Sequence, residues 1–201
     1  MKIYLVRHGE TDYNKASKFQ GWIDVPLNEF GIELAVKTAE GLKEIEFDAA
    51  FSSPFQRAYV TAKTIIGNKT LTIQTDDRLK EVCFGPNEGN SYLEAKKDVN
   101  HPLHNFFNNP GSYSPTDGSE SFDDVKKRVN NFLKEKIFPL EKKCQHVLIT
   151  AHGCVNRCIL NSILDIKNEN FWQIKLPNCA VSIISLENGK FEVIEKCKVF
   201  Y

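Results

Sequence analysis

The chain has 201 residues, and its 26 lysine and arginine residues balance 26 aspartate and glutamate residues. A composition of 41% hydrophobic and 26% charged residues without net charge is typical of a soluble globular protein and excludes a mainly disordered one. The balance also argues against a nucleic-acid partner, because binding a polyanion along its length requires a basic excess. A small cationic pocket is nevertheless compatible with a net charge of zero.

The N-terminus and the cysteines predict the compartment. The apolar run from Ile3 to Val6 is too short for a signal-peptide core, and no stretch reaches the roughly 18 to 20 apolar residues that span a bilayer. We therefore expect a cytoplasmic protein with no membrane partner. The six cysteines are scattered and include no Cys-x-x-Cys pair, so we expect reduced thiols, no metal and no cofactor.

The first half of the chain alternates short apolar runs with helical periodicities. Ile3 to Val6 predicts a strand and Leu27 to Glu44 a helix. The residues expected on the inner face of that helix are Ile32, Ala35, Val36, Ala39 and Leu42. Asp48 to Ser52 predicts a second strand, a second helix follows, and Leu71 to Thr75 alternates as a strand does. The inner residues of the second helix are predicted to be Phe55, Ala58, Ala62 and Ile65.

The segment at about residues 86–118, here called the excursion, interrupts this alternation. Its four prolines and its aromatic residues predict short helices inside a long irregular segment. Loops on a rigid scaffold often carry recognition. Phe106, Phe107 and Tyr113 therefore either cap a substrate pocket or pack only against one another.

After the excursion the alternation resumes. Ser121 and Asp124 form an approximate capping box at the start of a helix. Val147 to Thr150 predicts a strand, and a helix follows from about Val155 to Leu164.

The chain closes on two runs, Val181 to Leu186 and Phe191 to Val199, joined by Asn188-Gly189, which predicts a β-hairpin. Strands interleaved with helices indicate an α/β fold. We expect a three-layer α/β/α sandwich with a mostly parallel central sheet and a C-terminal β-hairpin, formed as a single domain by residues 1–201.

Polar motifs follow three of the predicted strands, where α/β folds place ligands. The first is Arg7-His8-Gly9-Glu10-Thr11, the second Ser52-Ser53-Pro54-Phe55-Gln56-Arg57 and the third Ala151-His152-Gly153. Arginine offers a planar fork that fits phosphate, and neutral imidazole can attack phosphorus. A fourth candidate is Glu81, which is either a proton donor to a leaving oxygen or an ordinary surface carboxylate.

Together these motifs resemble the histidine phosphatase superfamily, in its phosphoglycerate-mutase-like branch. The segments that carry the resemblance are Leu5 to Thr11, Gln20 to Leu27 with Gly31, Ser53-Pro54 with Arg57, Glu81 with Phe84-Gly85, and Ala151-His152-Gly153. The resemblance implies a metal-independent phosphatase that hydrolyses a small phosphorylated metabolite through a phosphohistidine intermediate.

It also implies a role for each matching residue. His8 would be the nucleophile, and Arg7, Arg57 and His152 would surround the phosphate. Glu81 would be the general acid for the leaving hydroxyl and then the base that activates water.

Five further positions would bind phosphate or substrate. Thr11 offers a hydroxyl donor, Asn14 a side-chain hydrogen bond and Gly153 its backbone amide. Gln20 and Gly21 lie where family members contact substrate.

Two other functions stay open. In the glycolytic mutases the acidic glutamate is followed by a basic and aromatic cluster, whereas Val82, Cys83 and Phe84 follow Glu81 and the excursion has no paired arginines. A phosphatase therefore fits better than a phosphoglycerate mutase. A catalytically silent phospho-ligand binder is the third alternative, but a binder has no need of Glu81. The sequence also leaves a homodimer open.

Overall fold

The computed structural model describes residues 1–68 and 70–201. Its sheet has six strands: β1 (Lys2–Arg7), β2 (Ala49–Ser52), β3 (Ile73–Thr75), β4 (His146–Ala151), β5 (Val181–Glu187) and β6 (Lys190–Lys198). Their order is β3-β2-β4-β1-β5-β6. The first four strands of that order are parallel, and β5 and β6 are antiparallel to their neighbours. This confirms a mostly parallel sheet.

Seven α-helices accompany the strands within the described residues: α1 (Asp12–Lys15), α2 (Glu29–Gly41), α3 (Gln56–Ile66), α4 (Tyr92–Lys97), α5 (His104–Asn108), α6 (Phe122–Phe132) and α7 (Gly153–Ile163). A π-helical turn, Leu133–Ile137, continues α6. Short 3-10 turns occupy Asp77–Leu79, Gly85–Asn87, Pro110–Ser112, Phe138–Leu140 and Asn168–Asn170. None of these helices is long and apolar enough to cross a membrane.

Strand β1 lies near the centre of the sheet, and its side chains alternate between two cores. Ile3 and Leu5 pack in the core that contains the apolar faces of α6 and α7. Tyr4 and Val6 pack on the opposite side, in the core to which α3 contributes. Because helices cover both faces, the fold is the expected three-layer α/β/α sandwich.

The inner face of α2 differs from the prediction. Ala35 and Leu42 are buried as predicted, but Ile32 and Val36 are 47% and 54% exposed, whereas Leu34 and Thr38 are buried. The cause is Gly31, where a Cβ atom would overlap the carbonyl oxygen of Glu10. Only glycine permits this approach, and it turns the helix so that Leu34, rather than Ile32, faces inward.

Most of the other predicted elements are confirmed. Ser121 and Asp124 form the capping box of α6, with Asp124 N donating to Ser121 Oγ at 3.1 Å and Ser121 N donating to Asp124 Oδ2 at 2.9 Å. The hairpin of β5 and β6 turns at Asn188 and Gly189, both of which have positive φ, as the favoured two-residue turn requires. Strand β3 begins two residues later than predicted and α7 two residues earlier.

The excursion contains α4 and α5, as expected for short helices in an irregular segment. Its aromatic residues do both things that the sequence allowed. Phe106 is buried and Phe107 partly buried, and both line the cavity that Arg7 and His8 also line. Tyr113 instead packs on Phe106 and Phe122 and does not line that cavity.

Candidate active site

Three strand ends bring the sequence motifs together. Strands β2, β4 and β1 are parallel neighbours, with Ser52 paired to Thr150 and Arg7 paired to Ala151. Their carboxyl ends therefore share one edge of the sheet, where the residues that follow each strand meet. The imidazole rings of His8 and His152 lie 5.1 Å apart between their centroids.

The His8 side chain is fixed in one orientation. It is 3% exposed, and its Nδ1 lies 2.6 Å from the carbonyl oxygen of Gly9, to which it donates. This hydrogen bond places the proton on Nδ1 and leaves the Nε2 lone pair free for attack. Burial, with the charges of Arg57 and Arg7, holds the pKa of His8 well below its usual value. His8 is therefore neutral at physiological pH.

Arg57 and His152 form a buried pair behind His8. Nε of Arg57 donates to Nδ1 of His152 at 3.2 Å, and Nε2 of His152 lies 2.8 Å from the hydroxyl of Ser53. The guanidinium also donates to the carbonyl oxygens of Gly21 and Ile23 at 2.7 and 2.9 Å. Burial lowers the pKa of Arg57 to about 10, so the group stays charged at neutral pH. Neither Arg57 nor His152 lines the cavity.

Glu81 lies at the N-terminus of α7. Its carboxylate accepts backbone N–H groups from Val82 at 2.9 Å, Cys154 at 3.1 Å and Val155 at 3.3 Å. The side chain is 7% exposed, so it is not the surface carboxylate that the sequence left open. It faces the same cavity as His8.

That cavity has a volume of about 520 Å³ and is open to solvent. Six of the ten predicted site residues line it: Arg7, His8, Asn14, Gln20, Glu81 and Gly153. Around Gly153 the polar groups converge, since a Cβ atom there would lie 3.6 Å from Oε2 of Glu81 and 3.7 Å from Nε of Arg7. Only a residue without a side chain leaves this space free for a ligand.

Two buried donors in the cavity have no partner. Nε of Arg7 and Nε2 of Gln20 are both inaccessible and make no hydrogen bond, although Arg7 Nη1 donates to Leu176 O at 2.6 Å. A buried donor without a partner costs about 1–3 kcal/mol, so such groups are normally satisfied by a ligand or water. Both residues line a cavity rich in cationic groups, and N–H donors without a protein partner suit the oxygens of an anion.

Thr11 and Gly21 lie outside the cavity and hold its residues in place. The Thr11 hydroxyl donates to Oε1 of Gln20, which fixes the orientation of that amide, and accepts from the N–H of Asn14. The Gly21 carbonyl oxygen accepts a hydrogen bond from Arg57, and the Gly21 N–H donates to the Glu88 carboxylate at 2.9 Å. A Cβ atom at Gly21 would overlap the Val82 carbonyl oxygen.

The sequence reasoning missed several residues of the site. Arg157 lines the cavity and donates to the Gly153 carbonyl at 3.0 Å. Its position four residues after Gly153 on the helix that follows His152 was a readable signal. Lys18 and Lys96 also line the cavity, and Asn178 donates to the Gly9 carbonyl at 3.1 Å. Nothing in their local sequence marks these three.

No cluster of three or more histidine, cysteine, aspartate or glutamate side chains that could hold a metal ion occurs among residues 1–68 and 70–201. The hydrogen-bond donors among the side chains that line the cavity instead include arginine, lysine and amide groups. Such groups bind anions rather than cations.

A family model of the histidine phosphatase superfamily (branch 1) matches residues 3–197. The chain belongs to this superfamily. The curated relatives include "Putative phosphoserine phosphatase 2" of Hydrogenobacter thermophilus, which is 35% identical over 196 residues covering 96% of this chain and 93% of the relative. A phosphoglycerate mutase of Schizosaccharomyces pombe is 30% identical over 195 residues, with coverage of 94% and 92%. Among solved structures, Bacillus stearothermophilus YhfR superposes with a TM-score of 0.90 at 29% identity, covering 98% of this chain and 97% of that one.

The two buried histidines predict that the free energy of unfolding of this protein depends on pH. Burial and Arg57 lower the pKa values of His8 and His152 well below 6.5. The unfolded chain therefore binds more protons than the native state as the pH falls below about 6.5, and the free energy of unfolding falls with it. We expect a loss on the order of 2 to 4 kcal/mol between pH 7 and pH 5, measured by urea denaturation.

The control for this prediction is His8→Gln, which removes one of the two histidines and should roughly halve the pH dependence. Asp48, Asp76 and Asp124 also have shifted pKa values, but theirs are lowered from 3.8 and so do not titrate in this range. A stability that stays constant between pH 7 and pH 5 would contradict the prediction.

Proposed function

We propose that the protein is a phosphoric monoester hydrolase that forms a phosphohistidine at Nε2 of His8. One observation carries the proposal: a neutral, buried imidazole with Nδ1 engaged shares a cavity with the unpartnered Nε of Arg7 and the carboxyl group of Glu81. Nucleophile, anion donor and proton donor are thus together in one site.

The first half of the reaction transfers the phosphoryl group to the protein. The phosphate of the substrate accepts hydrogen bonds from Arg7 and Gln20, which stabilise the charge on the transferring group. Nε2 of His8 attacks phosphorus, and the bond from phosphorus to the leaving oxygen breaks. The protonated Glu81 gives its proton to that oxygen, so the product leaves as a neutral alcohol.

The second half releases phosphate. The Glu81 carboxylate takes a proton from a water molecule, whose oxygen attacks phosphorus and breaks the bond to Nε2. Inorganic phosphate leaves, His8 returns to its neutral form and Glu81 is protonated again. Arg57 and His152 do not line the cavity. The positive charge of Arg57 acts through space and stabilises the phosphate held near His8.

The relatives support a hydrolase. One, named "Putative phosphoserine phosphatase 2", matches nearly the whole chain, which favours a small phosphorylated metabolite as substrate. The 30% identical phosphoglycerate mutase supports a second candidate, in which a hydroxyl group of another substrate molecule replaces water as the acceptor. A cytoplasmic location remains a prediction from the sequence, and a homodimer remains an open alternative.

A phosphatase assay tests the proposal. We expect the protein to hydrolyse p-nitrophenyl phosphate in the presence of a chelator and without any bisphosphate, because its own side chains supply the charges around the phosphate. A mutase would instead convert 3-phosphoglycerate to 2-phosphoglycerate only after priming by a bisphosphate, and would release little phosphate. Absence of hydrolysis of every phosphomonoester tried, by folded protein, would contradict the proposed function.

A further inference from the structure

Glu81 lies on a segment that has no regular secondary structure. Residues 81–83 fall between the 3-10 turns Asp77–Leu79 and Gly85–Asn87 and belong to neither a helix nor a strand. A general acid must nevertheless be held within hydrogen-bond reach of the leaving oxygen, at about 2.6–3.2 Å. The backbone of this segment therefore needs hydrogen-bond partners from elsewhere in the chain, because no helix or strand ladder supplies them.

Arg128 supplies several of those partners from the middle of α6. Its Nη1 donates to the carbonyl oxygens of Arg78 at 2.7 Å and of Lys80 at 2.6 Å. Its Nη2 donates to the carbonyl oxygen of Glu81 at 3.0 Å, and the same oxygen accepts the indole N–H of Trp22 at 3.0 Å. One guanidinium group thus holds three carbonyl groups, including that of the proposed acid itself.

Glu120 keeps this guanidinium group in place and binds a further residue of the segment. Its carboxylate accepts Nε and Nη2 of Arg128 at 2.8 and 2.9 Å, and the two side chains are only 17% exposed for Arg128 and 20% for Glu120. Its Oε2 also accepts the Cys83 N–H at 2.9 Å, while the N–H of Glu120 donates to the Cys83 carbonyl oxygen at 3.0 Å. Arg128 and Glu120 therefore provide, for residues 78–83, the hydrogen bonds that a neighbouring strand would otherwise provide.

Two different helices thus hold the backbone and the carboxyl group of Glu81. Arg128 of α6 binds the backbone, and each of the five N–H groups of its guanidinium has a partner. The carboxyl group accepts the N–H groups of Cys154 and Val155 at the start of α7. Because the apolar faces of α6 and α7 pack in one core, the carboxyl group has a fixed position in the cavity, although Arg128 does not line that cavity.

We infer that Arg128 is a positioning residue for the general acid. Together with Glu120, it holds the backbone of Glu81 so that the carboxyl group reaches the leaving oxygen. This inference rests on the proposed function, in which Glu81 protonates that oxygen. The variant Arg128→Lys keeps the positive charge but replaces the planar fork with a single ammonium group, which cannot bind three carbonyl groups and a carboxylate in the same geometry. A displacement of about 1 Å at a reacting group can lower a rate on the order of 10²-fold.

A comparison of two esters tests the inference in Arg128→Lys. For glycerol 3-phosphate, whose alkoxide leaves poorly, we expect kcat/KM to fall about 10- to 100-fold. For p-nitrophenyl phosphate, whose leaving group needs no proton, kcat/KM should fall less than about threefold. A role limited to stability would lower both values equally.

The matched control is Arg78→Lys. The guanidinium group of Arg78 belongs to the same segment, but its N–H groups bind the carboxylates of Asp76 and Glu135. Its removal therefore makes the same chemical change close to Glu81 while the contacts of Arg128 remain. The ratio of the kcat/KM values for the two esters should stay as in the wild-type protein.

Combining Arg128→Lys with Glu81→Gln shows whether Arg128 acts through Glu81. In the Glu81→Gln background, Arg128→Lys should lower kcat/KM for glycerol 3-phosphate by no more than about twofold, because the effects of residues that act as a unit are not additive. Glu120→Gln should reproduce the pattern of Arg128→Lys at about threefold to tenfold, since its amide has one accepting oxygen in place of two. It serves as the test if Arg128→Lys does not fold.

The outcomes separate the inference from the proposed function. Equal slowing of the two esters in Arg128→Lys, or no slowing at all, would overturn the inference and leave the phosphatase standing. An undiminished effect of Arg128→Lys in the Glu81→Gln background would also overturn it. Failure of the wild-type protein to hydrolyse either ester would instead count against the phosphatase itself.

Discussion

Replacing His8 with alanine is expected to lower phosphomonoester hydrolysis about 10⁴-fold or more, because the variant lacks the nitrogen that attacks phosphorus. The neighbouring histidine cannot substitute for it. The second histidine of the site, His152, has Nδ1 bonded to Arg57 and Nε2 bonded to Ser53, and it does not line the cavity. The measurement is kcat/KM for p-nitrophenyl phosphate in wild-type protein and variant.

A second readout addresses the intermediate directly. Rapid quenching of the wild-type protein with a ³²P-labelled substrate should trap protein-bound label that is stable to base and labile to acid, as expected of a phosphoryl group on nitrogen. The alanine variant should trap none. A suitable control is His146→Ala, since His146 lies at the opposite end of β4 from the cavity. Retained activity or retained label in a folded His8→Ala protein would refute the phosphohistidine mechanism.

The convergence of the strand-end motifs was predictable from the sequence. Arg7-His8 and His152-Gly153 each follow a buried apolar run, and in a parallel sheet the carboxyl ends of neighbouring strands meet at one edge. That rule does not depend on the intervening chain, which is why residues about 145 apart in sequence could be assigned to one site. The hairpin turn at Asn188-Gly189 was equally readable, because its chemistry is local.

The orientation of the predicted residues could not be predicted from the sequence. Periodicity shows that α2 has an apolar stripe but not which side faces the sheet, and the contact of Gly31 with Glu10 settles that question through packing. Arg57 follows a strand as Arg7 does, yet its donors are bonded to His152 and to two backbone carbonyls. Which arginine presents a free donor depends on neighbours that no sequence window contains.

The mouth of the cavity depends even more on tertiary contacts. Lys18, Lys96 and Trp172 come from three distant segments, and none stands in a motif. The absence of paired arginines from the excursion did not reveal the cations of the site, because Lys96 and Lys18 supply them and Lys18 lies outside the excursion. The chemistry of an irregular region is set by what it packs against, as the stack of Phe107 on Trp172 illustrates.

Replacing Glu81 with glutamine is expected to slow reactions according to their leaving group. For an alkyl phosphate, kcat/KM should fall about 10²- to 10⁴-fold, because an alkoxide is a poor leaving group without a proton from Glu81. For p-nitrophenyl phosphate the fall in kcat/KM should be much smaller, since p-nitrophenolate leaves without protonation. The measurement is a series of esters in which the logarithm of kcat/KM is compared with the leaving-group pKa.

The choice of kcat/KM matters, because Glu81 is also the proposed base for hydrolysis of the phosphohistidine. That second step affects kcat for every ester alike, whereas kcat/KM reports the steps up to departure of the leaving group. The glutamine variant should therefore show a burst of p-nitrophenol followed by slow turnover.

Stability has to be measured in parallel with these rates. Oε1 of Glu81 accepts the backbone N–H groups of Val82, Cys154 and Val155, and the carbonyl oxygen of glutamine can accept all three, so that only the contact of Cys154 N–H with Oε2 is lost. A loss of about 0.5–1.5 kcal/mol in the free energy of unfolding is therefore expected, without loss of the fold. Structural damage to the site would slow all esters equally, whereas removal of an acid steepens the dependence on the leaving group. Equal slowing for p-nitrophenyl and alkyl esters would thus exclude Glu81 as the proton donor.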